Sequence, residues 1–122
     1  NKGNLLKALE GIVGEHKNIG CSGLWDLYYE SDVTAEGYIW DMYSNYNYTA
    51  GSAFASSYKV EGDGYNREHS VPQSWFNEAS PMKSDLFHVY PTDAKVNGIR
   101  SNYMFGETDN PKTTTGNGSK LV

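Results

Sequence analysis

The chain has 122 residues, a formal net charge of −5 and a single cysteine, Cys21. This length fits one domain with one core, and a lone cysteine excludes an internal disulfide. The acidic balance argues against the broad basic surface of many nucleic-acid-binding proteins, although it does not fix the charge of one cleft. No apolar run is long enough to span a membrane. Aromatic residues form 14% of the chain, so rings can fill much of the core.

The N-terminal region is predicted to form two helices. Apolar residues recur at helical spacing from residue 4 to about residue 17, which predicts an amphipathic helix with His16 on its exposed surface. A second helix is predicted from Ser22, as its N-cap, to about Ser31. We expect the rings of this second helix to pack on the first. The apolar stripe of the first helix consists of Leu5, Leu6, Leu9, Ile12 and Val13.

The middle of the chain is predicted to be a strand followed by a long loop. Residues 38–43 alternate between two sets of side chains, which favours a strand. Residues 44–64 are rich in Asn, Ser, Gly and Tyr and have no sustained period, which predicts a loop, with a short strand at 58–60 as an option. Loops of this length often border a functional site.

Two further strands are predicted after this loop. Residues 66–71 read as an extended segment that Pro72 ends, and residues 86–90 as a strand that Pro91 ends. Proline lacks the backbone N–H that a strand ladder needs, which is the reason for both boundaries.

A helix and an exposed tail complete the chain. Thr92 or Asp93 is the expected N-cap of a helix that runs to about Arg100. The order is thus strand, strand, helix. Residues 108–122 carry few apolar side chains and are predicted to be exposed or poorly ordered.

Five residues of the predicted strand, strand, helix region suit the hydrolysis of a phosphodiester bond. That reaction needs a base for the attacking water, a divalent cation on the phosphate oxygens, and a positive charge for the developing anion. His69, flanked by charged and small polar residues, is the candidate base. Glu68 and Asn97 are the candidate oxygen ligands, and this pair suits Mg²⁺ or Ca²⁺ better than Zn²⁺. Arg67 or Arg100 is the candidate cation.

The positions of these residues set a geometric condition. Neighbours on a strand point to opposite faces, so Glu68 and His69 can face one site only at a bulge, a twist or the strand end. We therefore predict irregular backbone there. Asp93, Asn97 and Arg100 are spaced at i, i+4 and i+7, which places them on one helix face that can look back at the His69 strand.

Three of the candidates also have a plain structural interpretation. His69 can be an ordinary surface histidine, and Glu68 can form a surface ion pair with Arg67 or Lys59. Arg100 can be the helix partner of Asp93 instead of a phosphate ligand.

Four other residues are expected to be structural. His88, in an apolar strand, is predicted to be a hydrogen-bonded structural histidine. Trp75 and Phe76 are expected in the core or the cleft wall, with stacking on nucleic-acid bases as the less favoured alternative. Cys21 is expected to be a buried thiol.

Three blocks of sequence carry a resemblance to a known family. They are NREHSVPQSWF at 66–76, SDLFHVYPTD at 84–93 and VNGIRSNY at 96–103, with IWDMYS at 39–44 as an upstream part. Together they resemble the endonuclease I family of bacterial secreted or periplasmic nucleases, in the His-Me finger (ββα-metal) group. The resemblance implies an α+β fold, in which a ββα-metal finger at about residues 65–103 follows N-terminal helices and includes a small antiparallel sheet.

The resemblance also implies roles and a reaction. His69 matches the general base, Glu68 and Asn97 match the Mg²⁺ ligands, and Arg67 matches a phosphate contact. Ca²⁺ or Mn²⁺ are the expected substitute metals. The implied reaction is hydrolysis of DNA, and often of RNA, with little sequence preference, leaving 5′-phosphate and 3′-hydroxyl ends. The implied location is secreted or periplasmic, after removal of a signal peptide that this chain does not contain.

Two alternatives stay open at this stage. Members of the family usually continue with a further helical segment, so residues 1–122 are expected to lack that segment and can be an inactive fragment. The other alternative is a non-catalytic module that binds nucleic acid or glycans through its tyrosine-rich surface.

Overall fold

The computed structural model describes residues 2–15, 17–51 and 54–122. The described helices and three two-stranded antiparallel sheets form a small α+β fold, which confirms the predicted class. None of these helices has the length and hydropathy needed to cross a lipid bilayer. The helices are α1 (Lys2–Gly14), α2 (Gly20–Ser31) and α3 (Ala94–Arg100), with 3₁₀ helices at Gln73–Phe76 and Met82–Ser84. The strands are β1 (Tyr38–Ile39), β2 (Tyr48–Thr49), β3 (Tyr65–His69), β4 (Val89–Asp93), β5 (Thr113–Thr114) and β6 (Lys120–Leu121).

Helix α1 forms, but it begins and ends two to three residues earlier than predicted and buries none of its side chains. All five residues of its apolar stripe are exposed, from 46% for Leu9 to 73% for Ile12. The expected packing of the α2 rings on this helix is therefore wrong, because those rings pack on the strands instead. The helix ends at Gly14, and His16 lies outside the described residues.

The core lies between α2 and the strands, and tyrosines supply half of it. The Trp25 ring of α2 contacts the Tyr65 ring of β3 at 5.7 Å, and Tyr65 contacts the Tyr48 ring of β2 at 5.5 Å. The Tyr28 hydroxyl donates to the Val89 carbonyl of β4. The buried cluster comprises Leu24, Tyr28, Ile39, Tyr48, Tyr65 and Val89.

Helix α2 begins three residues earlier than predicted, counted from N-cap to N-cap. Its N-cap is Ile19, which has no capping side chain, and the Asn18 amide oxygen accepts from the Gly20 N–H at 2.9 Å. The predicted capping role of Ser22 is therefore wrong, since Ser22 lies inside the first turn.

The middle of the chain contains less strand than predicted. Of residues 38–43 only Tyr38 and Ile39 are in a strand, paired with β2 from inside the predicted loop. Residues 58–60 do not form the optional strand. The backbone N–H groups of Lys59 and Val60 both donate to the Asp63 carboxylate, which stabilises a turn.

Strands β3 and β4 pair antiparallel, from Tyr65 opposite Asp93 to His69 opposite Val89. Strand β4 starts three residues later than predicted, and Pro91 lies inside it. The Pro91 carbonyl accepts from the Met42 N–H, on the side away from β3. In an antiparallel pair the N and O of one residue point to the same side, so the missing N–H of Pro91 removes no bond to β3.

Helix α3 follows β4 directly, which confirms the strand, strand, helix order. Asp93 is its N-cap, and one carboxylate oxygen accepts from the Val96 N–H at 2.8 Å. The other oxygen accepts from the Tyr48 hydroxyl and the Gly62 N–H. Asp93 is fully buried, so one carboxylate joins the helix start to β2 and to the long loop.

The C-terminal residues form a short hairpin. Strands β5 and β6 pair antiparallel, and the Thr115 side chain between them is buried. The Asn117 side-chain amide donates to the Tyr43 carbonyl, and the Gly116 N–H donates to the Glu61 carboxylate. Most other side chains after residue 108 are exposed.

Candidate active site

A cleft of about 350 Å³ lies where β3 ends against the last turns of α3. All five candidates from the sequence border it, namely Arg67, Glu68, His69, Asn97 and Arg100. The 3₁₀ helix that begins at Gln73 forms another wall. A larger groove of about 470 Å³ lies between α3 and the C-terminal hairpin, but neither His69 nor Asn97 borders it. The smaller cleft is therefore the candidate active site.

Glu68 is a buried carboxylate with only 2% of its surface exposed. Its Oε1 accepts from the Tyr43 hydroxyl at 2.6 Å and lies 3.2 Å from Nη1 of Arg100. Burial raises the pKa of Glu68, while the Tyr43 hydrogen bond, the Arg100 charge and the His69 N–H oppose that rise. The alternative of a surface ion pair with Arg67 or Lys59 is therefore wrong.

His69, the last residue of β3, is 9% exposed, which excludes the surface-histidine alternative. Its Nε2 lies 2.9 Å from the Lys83 carbonyl oxygen. A carbonyl only accepts hydrogen bonds, so this contact places the proton on Nε2 and leaves Nδ1 as the acceptor. Burial lowers the pKa of His69, the hydrogen bond to the Lys83 carbonyl opposes this shift, and the neighbouring His88, Arg67 and Lys83 charges lower the pKa further. The ring is thus neutral at neutral pH and can accept a proton.

The backbone at Glu68 and His69 is regular, so the predicted irregularity is wrong. Both residues are in register in the ladder, opposite Tyr90 and Val89. The strand ends at His69, which is one of the three conditions set by the sequence. Glu68 turns towards Tyr43 while His69 turns towards Lys83, and both border the cleft because it opens at the strand end.

Asn97 joins α3 to β3. Its Nδ2 donates to the Asn66 side-chain oxygen at 2.6 Å and to the Arg67 carbonyl at 3.1 Å. Both amide hydrogens are thereby used, and the Oδ1 acceptor takes no part in these bonds. The amide oxygen is the group that a divalent cation would need.

Arg100 lies on the same helix face as Asn97, as predicted, and also contacts β3. Besides Glu68, its guanidinium donates to the backbone carbonyls of His69, Ser70 and Ser101. It also lies 4.7 Å from the centre of the Phe105 ring. Pairing with Asp93 is therefore wrong, because Asp93 is used as the helix cap.

Arg67 borders the cleft, and its guanidinium reaches α2. Its guanidinium donates to the Cys21 carbonyl and lies 4.7 Å from the centre of the Trp25 ring. Cys21 is half-buried rather than fully buried, and its thiol donates to the Lys83 carbonyl. The carbonyl that contacts His69 is therefore also tied to α2.

Besides Cys21, two of the residues expected to be structural differ from their predictions. His88 packs edge-on against Phe76 and lies 6.0 Å from the His69 ring. Its Nε2 is buried and has no hydrogen-bond partner in the part of the chain that the structure describes, so the predicted hydrogen bond is missing at this atom. Trp75 is 56% exposed and is not a core residue.

The family comparison agrees with this geometry. The family model Endonuclease I matches residues 2–122. The chain belongs to the endonuclease I family. No curated protein and no solved structure gives a significant match. As a member of the endonuclease I family, the chain is a nuclease, a hydrolase that acts on nucleic acid.

The endonuclease I chain also uses residues that the sequence did not single out. Tyr43 contacts Glu68, and the Lys83 carbonyl contacts His69. Tyr43 was assigned to a strand, whereas it lies in a turn. The one sequence feature that points to Tyr43 is its position in the family-like block IWDMYS at 39–44. A backbone carbonyl such as that of Lys83 has no sequence signal, since every residue carries one.

The donor set of this cleft fits a hard divalent cation. Among the described residues, no group of three or more His, Cys, Asp or Glu side chains could bind a metal, which is the type of cluster that zinc prefers. Glu68 and Asn97 offer one carboxylate and one amide oxygen to the same cleft. Mg²⁺ is often bound through one or two protein oxygens, with water and substrate phosphate completing the octahedron.

Proposed function

We propose that this chain is a metal-dependent endonuclease that hydrolyses phosphodiester bonds of DNA, with RNA as a second substrate. We further propose that it has little sequence preference and leaves 5′-phosphate and 3′-hydroxyl ends. The observation that carries the proposal is the meeting of His69, Glu68 and Asn97 around one cleft of a chain in a nuclease family. A secreted or periplasmic location is part of the proposal and rests on family membership alone.

His69 is assigned the role of general base. The Lys83 carbonyl engages its Nε2, so Nδ1 takes the proton from the attacking water. The lowered pKa keeps the ring unprotonated before the reaction. Because the imidazole activates the water itself, one metal ion is sufficient.

Glu68 and Asn97 are assigned as the ligands of that ion. When bound, Mg²⁺ supplies positive charge to the phosphate oxygens and to the leaving 3′-oxygen. Mn²⁺ and Ca²⁺ accept the same oxygen ligands and are the proposed substitutes. The hydrogen bonds of Asn97 to Asn66 and Arg67 fix its side chain towards the strand that carries Glu68.

Arg67 and Arg100 are assigned to bind the phosphate. They and Glu68 are the formally charged residues that border the cleft, which gives two positive charges against one negative charge. A local excess of one positive charge attracts a phosphate even though the whole chain has a net charge of −5. The hydrogen bonds of Arg100 to backbone carbonyls hold its guanidinium in place before substrate arrives.

Supercoiled plasmid provides the direct test. We expect nicking with Mg²⁺ and none with EDTA. His69→Ala should lower the nicking rate by about 10²–10⁴ because it removes the base, while the circular dichroism spectrum and DNA affinity stay close to those of the unmodified chain. His88→Gln is the matched control, because it replaces the neighbouring histidine and should keep the rate within a few-fold.

Three outcomes would contradict the proposal. Nicking that persists in EDTA would exclude metal dependence, and full activity of His69→Ala would exclude the base. DNA binding without any cleavage would favour the non-catalytic module. Parallel assays on DNA and RNA of the same sequence decide whether both are substrates.

A further inference from the structure

Two donors converge on the same oxygen of the buried Glu68 carboxylate. The Tyr43 hydroxyl lies 2.6 Å from Oε1, and Nη1 of Arg100 lies 3.2 Å from that atom. Neither contact uses Oε2. The carboxylate therefore has one oxygen engaged by two side chains and a second oxygen that neither side chain contacts, while the His69 backbone N–H is a third donor to the same group.

Tyr43 is held in place by a turn that is itself fixed to β4. The buried Asp41 carboxylate accepts from the N–H groups of Tyr43 and Ser44 and from the Ser44 hydroxyl. It also accepts from the Thr92 hydroxyl at 2.8 Å and the Asp93 N–H at 3.1 Å. The Met42 N–H adds a bond to β4 through Pro91. These hydrogen bonds fix the turn to β4 and thereby hold the Tyr43 ring next to Glu68.

We propose that Tyr43 is a positioning residue that orients Glu68, so that Oε1 is engaged and Oε2 is directed to a divalent cation in the cleft. This inference rests on the proposed function, because it assumes that Glu68 is a metal ligand. Groups that hydrogen-bond a metal ligand set its orientation and commonly change metal affinity by 10- to 100-fold.

The chemistry of a tyrosine suits this role better than a second cation. A tyrosine hydroxyl is ordinarily protonated at neutral pH, so it acts as a donor to the Glu68 carboxylate, 2.6 Å away. A neutral hydroxyl fixes the carboxylate without adding a positive charge that would repel a metal ion. Arg100 does carry such a charge, and it also has three backbone carbonyls as acceptors. Tyr43 is therefore the donor whose loss should affect Glu68 most specifically.

The test is Mn²⁺ affinity of the complete chain without nucleic acid, measured from the electron paramagnetic resonance signal of free Mn²⁺. Tyr43→Phe removes only the hydroxyl and should weaken Mn²⁺ binding by about 10- to 100-fold. Tyr48→Phe is the matched control, since it removes an equally short tyrosine–carboxylate bond, to Asp93, away from the cleft. It should leave Mn²⁺ affinity within about twofold.

A double variant separates orientation of Glu68 from a general structural effect. If Tyr43 acts through Glu68, then Tyr43→Phe combined with Glu68→Gln should bind Mn²⁺ no more weakly than Glu68→Gln alone. Additive losses would overturn the proposal. Plasmid nicking by Tyr43→Phe should approach the unmodified rate at saturating Mn²⁺, and a loss that metal does not restore would also overturn it.

The same measurements distinguish this inference from the proposed function. If Glu68→Gln loses Mn²⁺ affinity while Tyr43→Phe binds like the unmodified chain, the result supports Glu68 as a metal ligand and excludes the proposed role of Tyr43. If Glu68→Gln and Asn97→Ala also bind like the unmodified chain, the assigned metal ligands themselves are wrong.

Discussion

The finger formed by β3, β4 and α3 and the N-terminal helix α1 are opposites in how they use their side chains. In the finger, charged residues such as Glu68 and Asp93 are buried and hydrogen-bonded. In α1, leucines that would normally form a core are exposed, with Leu6 at 67%. The polarity of a residue therefore does not decide burial in this chain.

This contrast indicates that the buried polar residues, more than the apolar stripe of α1, determine how the helices and strands are arranged. A buried carboxylate is tolerated only where donors meet it with good geometry, so each one fixes the elements that supply those donors. An apolar stripe can be buried against any apolar surface, because the hydrophobic effect is non-directional, so the stripe does not determine which element packs on it. We therefore expect substitutions in the finger to have large effects and equivalent ones in α1 to have small effects.

The largest expected difference is between two leucines. Leu24→Ala in α2 removes a side chain that is 0% exposed and should lower the free energy of unfolding by about 2–5 kcal/mol. Leu6→Ala in α1 should change it by less than about 0.5 kcal/mol. Urea denaturation followed by circular dichroism measures both. A loss above about 1 kcal/mol in Leu6→Ala would show that α1 is covered in solution.

Asp93→Ala tests the importance of a buried carboxylate in the finger. It leaves the Val96 N–H, the Gly62 N–H and the Tyr48 hydroxyl without their acceptor. The expected loss is about 2–4 kcal/mol, from the cap and from the unpaired donors. Asp63→Ala is the control, because that carboxylate also accepts two backbone N–H groups but in an exposed turn. Equal losses in the two variants would remove burial as the explanation.

Asn97→Ala tests the metal site rather than the fold. It removes a proposed direct ligand, so it should weaken Mg²⁺ or Mn²⁺ binding by at least the ~10- to 100-fold that follows loss of a group that only orients a ligand, and it should shift the metal titration of plasmid nicking accordingly. Asn102→Ala, at the edge of the same cleft, is the control and should leave the titration in place. An unchanged titration in Asn97→Ala would show that its amide oxygen does not bind metal.

The smallest expected effect is a pH dependence of stability due to His88. Burial lowers its pKa below the ordinary value of about 6.5, with Asp85 opposing the shift. The unfolded chain therefore takes up this proton first, and stability is lost as the pH falls from about 6.5 towards the folded-state pKa.

His88→Gln should reduce that loss by a few tenths of a kcal/mol, because the ring is only partly buried and solvent screens its charge. Urea midpoints at pH 7.5 and 5.5, for the unmodified chain and the variant, measure the difference. A steeper fall with decreasing pH in the variant would reverse the assigned sign.

The sequence predicted those parts of the finger that depend on local chemistry. The cap of α3 was predictable because Asp93 and the N–H of Val96 are three residues apart. The register of β4 was not, because a proline within a strand is acceptable only if its N points away from the partner. Whether it does depends on how β4 pairs with β3, which is distant in sequence.

The candidate site was predictable in membership but not in detail. His69, Glu68 and Asn97 could be chosen by chemistry and family resemblance. The burial of Glu68 and its bond to Tyr43 join positions 25 residues apart, and no periodicity records such a contact. The prediction that α2 packs on α1 was wrong for a different reason. An apolar stripe does not indicate which element packs against it.

The hydrogen bonds of the Asp41 carboxylate determine whether the finger could be transferred to another protein. Its carboxylate accepts from Thr92 and Asp93 at the junction of β4 and α3, and the next turn delivers Tyr43 to Glu68. A peptide limited to residues 65–103 would leave those donors unpaired and would expose the buried Glu68 to water. The smallest transplantable unit is therefore discontinuous, and a grafted finger would have to carry the turn at residues 41–44 with it.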